Sequence, residues 1–236
     1  MISKPQFEDS LKKGIKFLQD LKLFKAKSVK FGCEVSKNFK EVSTSKNFVK
    51  IYDVATANND FDIILSDDSI FQMKHEKDIL RYAFLQNPRS YLTLDEFAET
   101  IFDLDELQNI LEVTEKEEFY SLLAPEYEKY KETEDRLSNF NYFRYDFSEL
   151  GYSPNLHSTS HFHIGMIDDV RIPVAKYVSP AKFIKFCIKN TYYKIYKEHF
   201  KDSTKLSSFV SKIKSDCIPL SADHWKQSER DELHLF

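Results

Sequence analysis

Three of the chain's seven histidines, His157, His161 and His163, fall within one short segment. If that segment is extended, its side chains alternate between two faces. Thr159, His161, His163 and Gly165 then share one face, and Ser160, Phe162, Ile164 and Met166 the other. The second set is an apolar core face, so two imidazoles project together from an element anchored by packing. Gly165 on their side leaves room for a ligand close to the backbone. The preceding segment has the same grammar: Asn141, Phe143, Tyr145 and Phe147 on one face, Phe140, Tyr142, Arg144 and Asp146 on the other. Antiparallel pairing, which the short connection favours, places Arg144 and Asp146 on the histidine face, with Arg171 of a third strand nearby.

Histidine titrates near neutrality, so a pair can divide general-base and general-acid work, as in metal-independent RNA cleavage through the 2′-hydroxyl. Arg144 and Arg171 would neutralise a transition-state phosphate, and Asp146 would orient an imidazole. The expected catalytic set is His161, His163, Arg144 and Asp146, with Arg171, Tyr142 and His157 at the substrate. Two other readings use the same residues. His-x-His on a strand chelates a divalent metal, with His157 or Asp146 completing the site; apart from that ion at His161 and His163, no cofactor is expected. The structural alternative is a set of histidines satisfied within a polar sheet face beside an internal Arg144–Asp146 ion pair. His75, His199, His224 and His234 are isolated and read as surface or core residues.

A second signal lies in the helix expected from Ser179, where proline follows a serine N-cap. Ile184, Cys187, Ile188, Thr191 and Ile195 form its apolar stripe. Lys182, Lys185 and Lys189 lie mostly opposite, with Tyr192, Tyr193 and Tyr196 beside them. Lysines interleaved with aromatics can contact phosphates and stack on unpaired bases; lysine stems lying on apolar surface give the same pattern.

The elements needed to position these groups are consistent with a chain of 236 residues that is 42% hydrophobic and 15% aromatic, enough for a sizeable core. Four glycines and the absence of either glycine fingerprint exclude a Walker or Rossmann phosphate loop. Three scattered cysteines, Cys33, Cys187 and Cys217, form no zinc pair or disulfide framework and are expected reduced. The first residues lack an apolar signal core and no run is long enough to span a bilayer, so no membrane contact and a cytoplasmic location are expected. Net charge is −4, but it is distributed in blocks. Residues 1–50 hold 12 Lys against five acids, residues 95–135 hold 15 acids against three Lys, and residues 171–214 hold 11 Lys or Arg against two acids. Such a chain can present a positive face.

Periodicity predicts a helix over Phe7–Phe24 and strands near Ser28–Gly32, Phe48–Ala55 and Phe61–Met73, with Asn58-Asn59-Asp60 turning a hairpin between the last two. Lys77–Gln86 reads as a helix ended by Asn87-Pro88. Thr93 and Glu96 make a capping box that opens acidic helices running to Arg136. Asn139–Phe147, Ser158–Met166 and Val170–Val174 read as strands, with a loop at Gly151–Asn155 and a tight turn at Asp168-Asp169. Helices over Ser179–Phe200 and Thr204–Ile213 follow, then a tail with Trp225. The expected architecture is a single α+β domain: strands at 27–75, an inserted acidic helical block at 77–136, strands with the candidate site at 139–174, and C-terminal helices at 179–213. Its sheet is mostly antiparallel with helices packed on one face.

Several segments resemble a bacterial family known as a domain of unknown function: Ser66 to Gln72, Leu80 to Pro88, Phe143-Arg144-Tyr145-Asp146-Phe147, His157 through Gly165, Arg171-Ile172-Pro173, and Ser179-Pro180 with Phe183. Ser158 stands where that family's histidine segment carries proline after the first histidine. The shorter combination Arg-Tyr-Asp, then His-x-His, is similar to small TumE-type toxins of toxin–antitoxin operons. That similarity implies RNA-directed activity in a bacterial conflict or phage-defence setting, with a protein partner encoded in the same operon. The leading expectation is a nuclease or phosphodiesterase acting on RNA. A non-catalytic protein- or nucleic-acid-binding subunit of a defence or restriction complex is the alternative, and a metal-dependent hydrolase the third.

Overall fold

The structure is a computed structural model that describes residues 2–32, 34–45, 47–89, 91–137, 140–165 and 170–233. Asn139, Met166 and the Asp168-Asp169 turn, together with Cys33 and His234, lie outside the described residues. The fold is α+β. A seven-stranded antiparallel sheet is built from β1 (Phe24–Lys27), β2 (Ile63–Leu65), β3 (Ile70–His75), β4 (Ile79–Leu85), β5 (Tyr142–Ser148), β6 (Ser160–Ile164) and β7 (Arg171–Pro173), in that spatial order. Each strand therefore pairs with its neighbour in sequence.

The chain divides into two compact units, residues 87–140 and the remainder. The smaller unit holds α4 (Leu94–Ile101), α5 (Leu104–Val113) and α6 (Lys116–Leu137) around Phe97, Ala98, Phe119 and Leu123. The Thr93/Glu96 capping box is formed, and Asp103/Glu106 repeats it on α5. Acidic first turns there face the positive helix ends.

In the larger unit, α1 (Lys4–Asp20) and α7 (Pro180–Thr191) cover one face of the sheet. Alternation decides which residues they meet: Phe71, Met73, Leu80, Tyr82, Phe84, Phe143, Tyr145 and Phe147 are buried in one cluster with Phe183, Ile184, Cys187 and Ile188 of α7. The Phe183 ring lies 5.6 Å from Tyr82 and stacks at 6.0 Å on Phe162. The two helices touch at Gly14, where a Cβ would come within 2.5 Å of Ile184 Cδ1. The β2–β3 hairpin turns through Asp68 at φ 66°, with Asp67 accepting from Ser69 and from Tyr192 Oη. This gives the Ser66–Gln72 segment a structural task.

Four local expectations are corrected. Phe48–Ala55 is not a strand but the core of α3 (Phe48–Ala57), capped by Asn47. Phe48, Ile51, Tyr52 and Ala55 sit at helical spacing and are all buried, a period masked by the β-forming residue types. Ser28–Gly32 is a turn bound to Asp62, and the strand lies just before it. Lys77–Gln86 is strand β4, because Leu80, Tyr82 and Phe84 alternate into the core. The Asn58–Asp60 turn closes α3, and the hairpin is at Ser66–Ser69. Past α7 the helix breaks at Tyr192, and α8 (Tyr193–His199) restarts it with Tyr196 buried and Ile195 exposed. The end of the chain adds α9 (Ser203–Ser215) and α10 (Gln227–Leu233), and α2 (Lys37–Val42) precedes α3. No helix among the described residues is long and apolar enough to cross a membrane.

Candidate active site

The register of β5 and β6 pairs Arg144 with His163 and Asp146 with His161; β7 sets Arg171 opposite His163, and β4 sets Arg81 opposite Asp146. All of these side chains belong to the face away from α1 and α7. The strand pairing that the candidate site requires is thus present, with Arg81 added to it.

Asp146 is the hub. It accepts from Arg81 Nε at 2.7 Å and from Arg144 Nε at 2.7 Å. Burial works against its charge, and the contacts with His163, Arg144 and Arg81 more than reverse that, holding its carboxyl well below the usual carboxylate range. Burial also works against Arg144, and Asp146 and Tyr142 outweigh it, so its guanidinium stays charged. Tyr142 bonds Arg144 and stands 5.8 Å from the Phe48 ring, which covers that end of the face. Arg144 Nη2 lies 3.0 Å from His163 Nε2. The same Nε2 stands 3.4 Å from Asp146 Oδ2, so the ring lies between the guanidinium and the carboxylate. The other ring nitrogen, Nδ1, is sealed, with no hydrogen-bond partner among the described residues.

The two imidazoles point to the same side, their centroids 4.8 Å apart, but they are not equivalent. His163 is 3% exposed and spent on Arg144. His161, at 6%, donates Nδ1–H to the Ser158 carbonyl at 2.9 Å. A carbonyl only accepts, so the tautomer is fixed with the lone pair on Nε2. Among the described residues Nε2 has no hydrogen-bond partner. Burial pushes the His161 pKa down to about 4, and His163 adds to the effect, so the ring is neutral at pH 7. His161 also lines a hollow of about 300 Å³ with Asn155, Leu156, Ser158, Arg171, Pro173, Glu229 and Glu232. The expected open pair of histidines is therefore one ring at a hollow and one ring behind it.

Asp146, His161 and His163 also offer three metal-donor atoms within 4.8 Å of one another. The anionic donor of this group is already engaged, since Arg81 and Arg144 both bind Asp146, and Arg171 stands opposite His163.

A family profile described as "Uncharacterized conserved protein (DUF2290)" matches residues 20–235. The chain belongs to this family. No curated protein and no solved structure matches it.

The remaining candidate residues of this DUF2290 protein separate by face. His157 joins the cluster, its ring 5.5 Å from His161 and its Nδ1 buried with no hydrogen-bond partner among the described residues. Lys182, Lys185 and Lys189 are carried by α7, which packs on the opposite face of the sheet, so they are not brought to the histidines. Lys185 is half-buried over the Tyr196 ring, and burial, with Lys182 and Lys189 beside it, lowers its pKa to about 8. Sequence reasoning missed Arg81, although the Leu80–Tyr82–Phe84 alternation would have put it on the site face. It also missed Glu229 and Glu232, which no local pattern ties to His161 across such a separation.

Proposed function

We propose that this DUF2290 protein cleaves phosphodiester bonds in RNA without a metal ion. The observation that carries the reading is His161: a neutral, tautomer-fixed imidazole whose unpartnered Nε2 belongs to a ring lining the same hollow as Arg171. In this reading His161 Nε2 takes the 2′-hydroxyl proton, the 2′-oxygen attacks phosphorus, and the P–O5′ bond breaks. Water protonates the departing 5′-oxygen, leaving a 2′,3′-cyclic phosphate. Arg171 holds the phosphate oxygens and offsets the negative charge that develops on them. His163, Arg144, Asp146 and Arg81 act as positioning residues behind the ring. The short resemblance to TumE-type toxins points the same way, and an operon-encoded partner belongs to that proposal.

The test is incubation of purified protein, with chelator present, with single-stranded RNA and with DNA of the same sequence. RNA cut to 2′,3′-cyclic ends and untouched DNA are expected. Intact RNA would overturn the reading; DNA cleavage, or activity abolished by chelator, would overturn the mechanism.

A further inference from the structure

The hollow at His161 has two chemically unlike walls. One carries His161 and Arg171, suited to a phosphate. The other carries Glu229 and Glu232, three residues apart on α10 and so on one side of that helix. A purely phosphate-binding cleft has no use for carboxylates, which would repel the ligand. The ligand that fits must be negative at one end and rich in hydrogen-bond donors at the other.

The two glutamates do different work. Glu229 is 2% exposed and fully engaged: it accepts from Tyr152 Oη at 2.7 Å, from the Lys226 backbone N–H at 2.9 Å and from Ser158 Oγ at 3.3 Å. These bonds pin α10 to the loop whose Ser158 carbonyl orients His161. Glu232 is exposed and accepts from Asn155 Nδ2 at 2.8 Å, through Oε2. Its Oε1 has no hydrogen-bond partner among the described residues. Asn155 is in turn fixed by Ser228, whose hydroxyl donates to its Oδ1 at 2.7 Å, with its backbone held at φ 64°. Between the walls stand Pro173 and Leu156, and Leu156 is a large apolar side chain left 84% exposed at the rim. Leu156 thus presents an apolar surface at the mouth of the hollow.

We infer that Glu232 and Asn155 form a guanine-recognition subsite next to the phosphate seat, making this a guanosine-selective site. This rests on the RNA-cleaving reading above. Guanine alone among the four bases presents two adjacent donors, N1–H and N2–H, that meet both oxygens of one carboxylate. Adenine and cytosine each place a ring acceptor beside the amino group, which faces the carboxylate with like charge. Uracil offers one donor between two carbonyls. The purine ring lies between Leu156 and Pro173, and the 3′-phosphate reaches Arg171 and His161.

The experiment measures binding of 3′-GMP, 3′-AMP, 3′-CMP and 3′-UMP to the wild-type chain, Glu232→Ala and Glu232→Gln by calorimetry. Expected is a preference for 3′-GMP of about tenfold or more, the size of one good bidentate contact. Glu232→Ala should reduce the four nucleotides to similar affinity. Glu232→Gln, which sets an amide against the guanine donors, should also lose the preference. Four equal affinities in the wild type overturn the guanine subsite and leave the phosphate seat standing. No binding of any nucleotide overturns both, and a 3′-GMP preference that survives Glu232→Ala assigns base recognition elsewhere.

Discussion

Adjacent residues of β5 and β6 serve opposite ends. Phe143, Tyr145 and Phe147 enter the core, and Phe162 and Ile164 pack against it, while Arg144, Asp146, His161 and His163 crowd together one residue away on the other face. The apolar face gains from burial, roughly 1.5–3 kcal/mol for each large side chain. The polar face contains a buried carboxylate, a desolvated guanidinium and an imidazole nitrogen with no hydrogen-bond partner among the described residues. Strands fixed by one face can hold groups on the other in an arrangement that those groups would not choose alone. Such tension is common at functional sites.

The contrast is broken most severely from the core side. Phe183→Ala or Tyr145→Ala should cost about 3–5 kcal/mol in chemical denaturation, since each removes a fully buried ring. Next comes Asp146→Ala, which takes an ion-pair partner from the desolvated Arg144 and should cost about 3 kcal/mol. The paired change Arg144→Met with Asp146→Leu should recover most of that stability while abolishing RNA cleavage. If the pair change is as unstable as Asp146→Ala, the ion pair is a structural asset rather than a cost borne for function. His161→Gln should alter stability by less than about 1 kcal/mol, because its Nδ1 bond replaces one made to water.

A further effect is one of pH. Folding lowers the His161 pKa, so its contribution is fully present above the ordinary imidazole value of 6.5 and is lost as pH falls toward about 4. Asp146 adds its own loss only as pH drops below the ordinary carboxylate value of 3.8. Stability measured between pH 7 and pH 4 should therefore decline in the wild-type chain and decline less in His161→Gln. Parallel profiles would mean that the ring is as easily protonated in the fold as out of it.

Much of this arrangement was legible in the residues. Period-two alternation placed His161 with His163 and Arg144 with Asp146, because one face of each strand is unmistakably apolar, and the short connection implied antiparallel pairing. The same alternation runs through Ile79–Leu85 and turns Arg81 to the site face, but a seven-residue strand ending before proline also resembles a helix stop. Phe48–Ala57 misled in the opposite sense: Val, Ile and Tyr favour strands, but burial at helical spacing prevailed. Exposure of the two rings had no local signature. Whether an imidazole meets the hollow depends on α10, which is remote in sequence.

The most direct measurement compares the two faces in one assay. RNA cleavage rates are taken for wild type, for His161→Gln and for the combined Lys182→Ala, Lys185→Ala and Lys189→Ala chain, with folding checked in each. Loss of about 100-fold or more is expected for His161→Gln, the scale of a missing general base, against about threefold or less for the lysine variant. Full activity in a folded His161→Gln protein, or collapse of activity only when the α7 lysines are removed, would contradict the assignment of the chemistry to the histidine face.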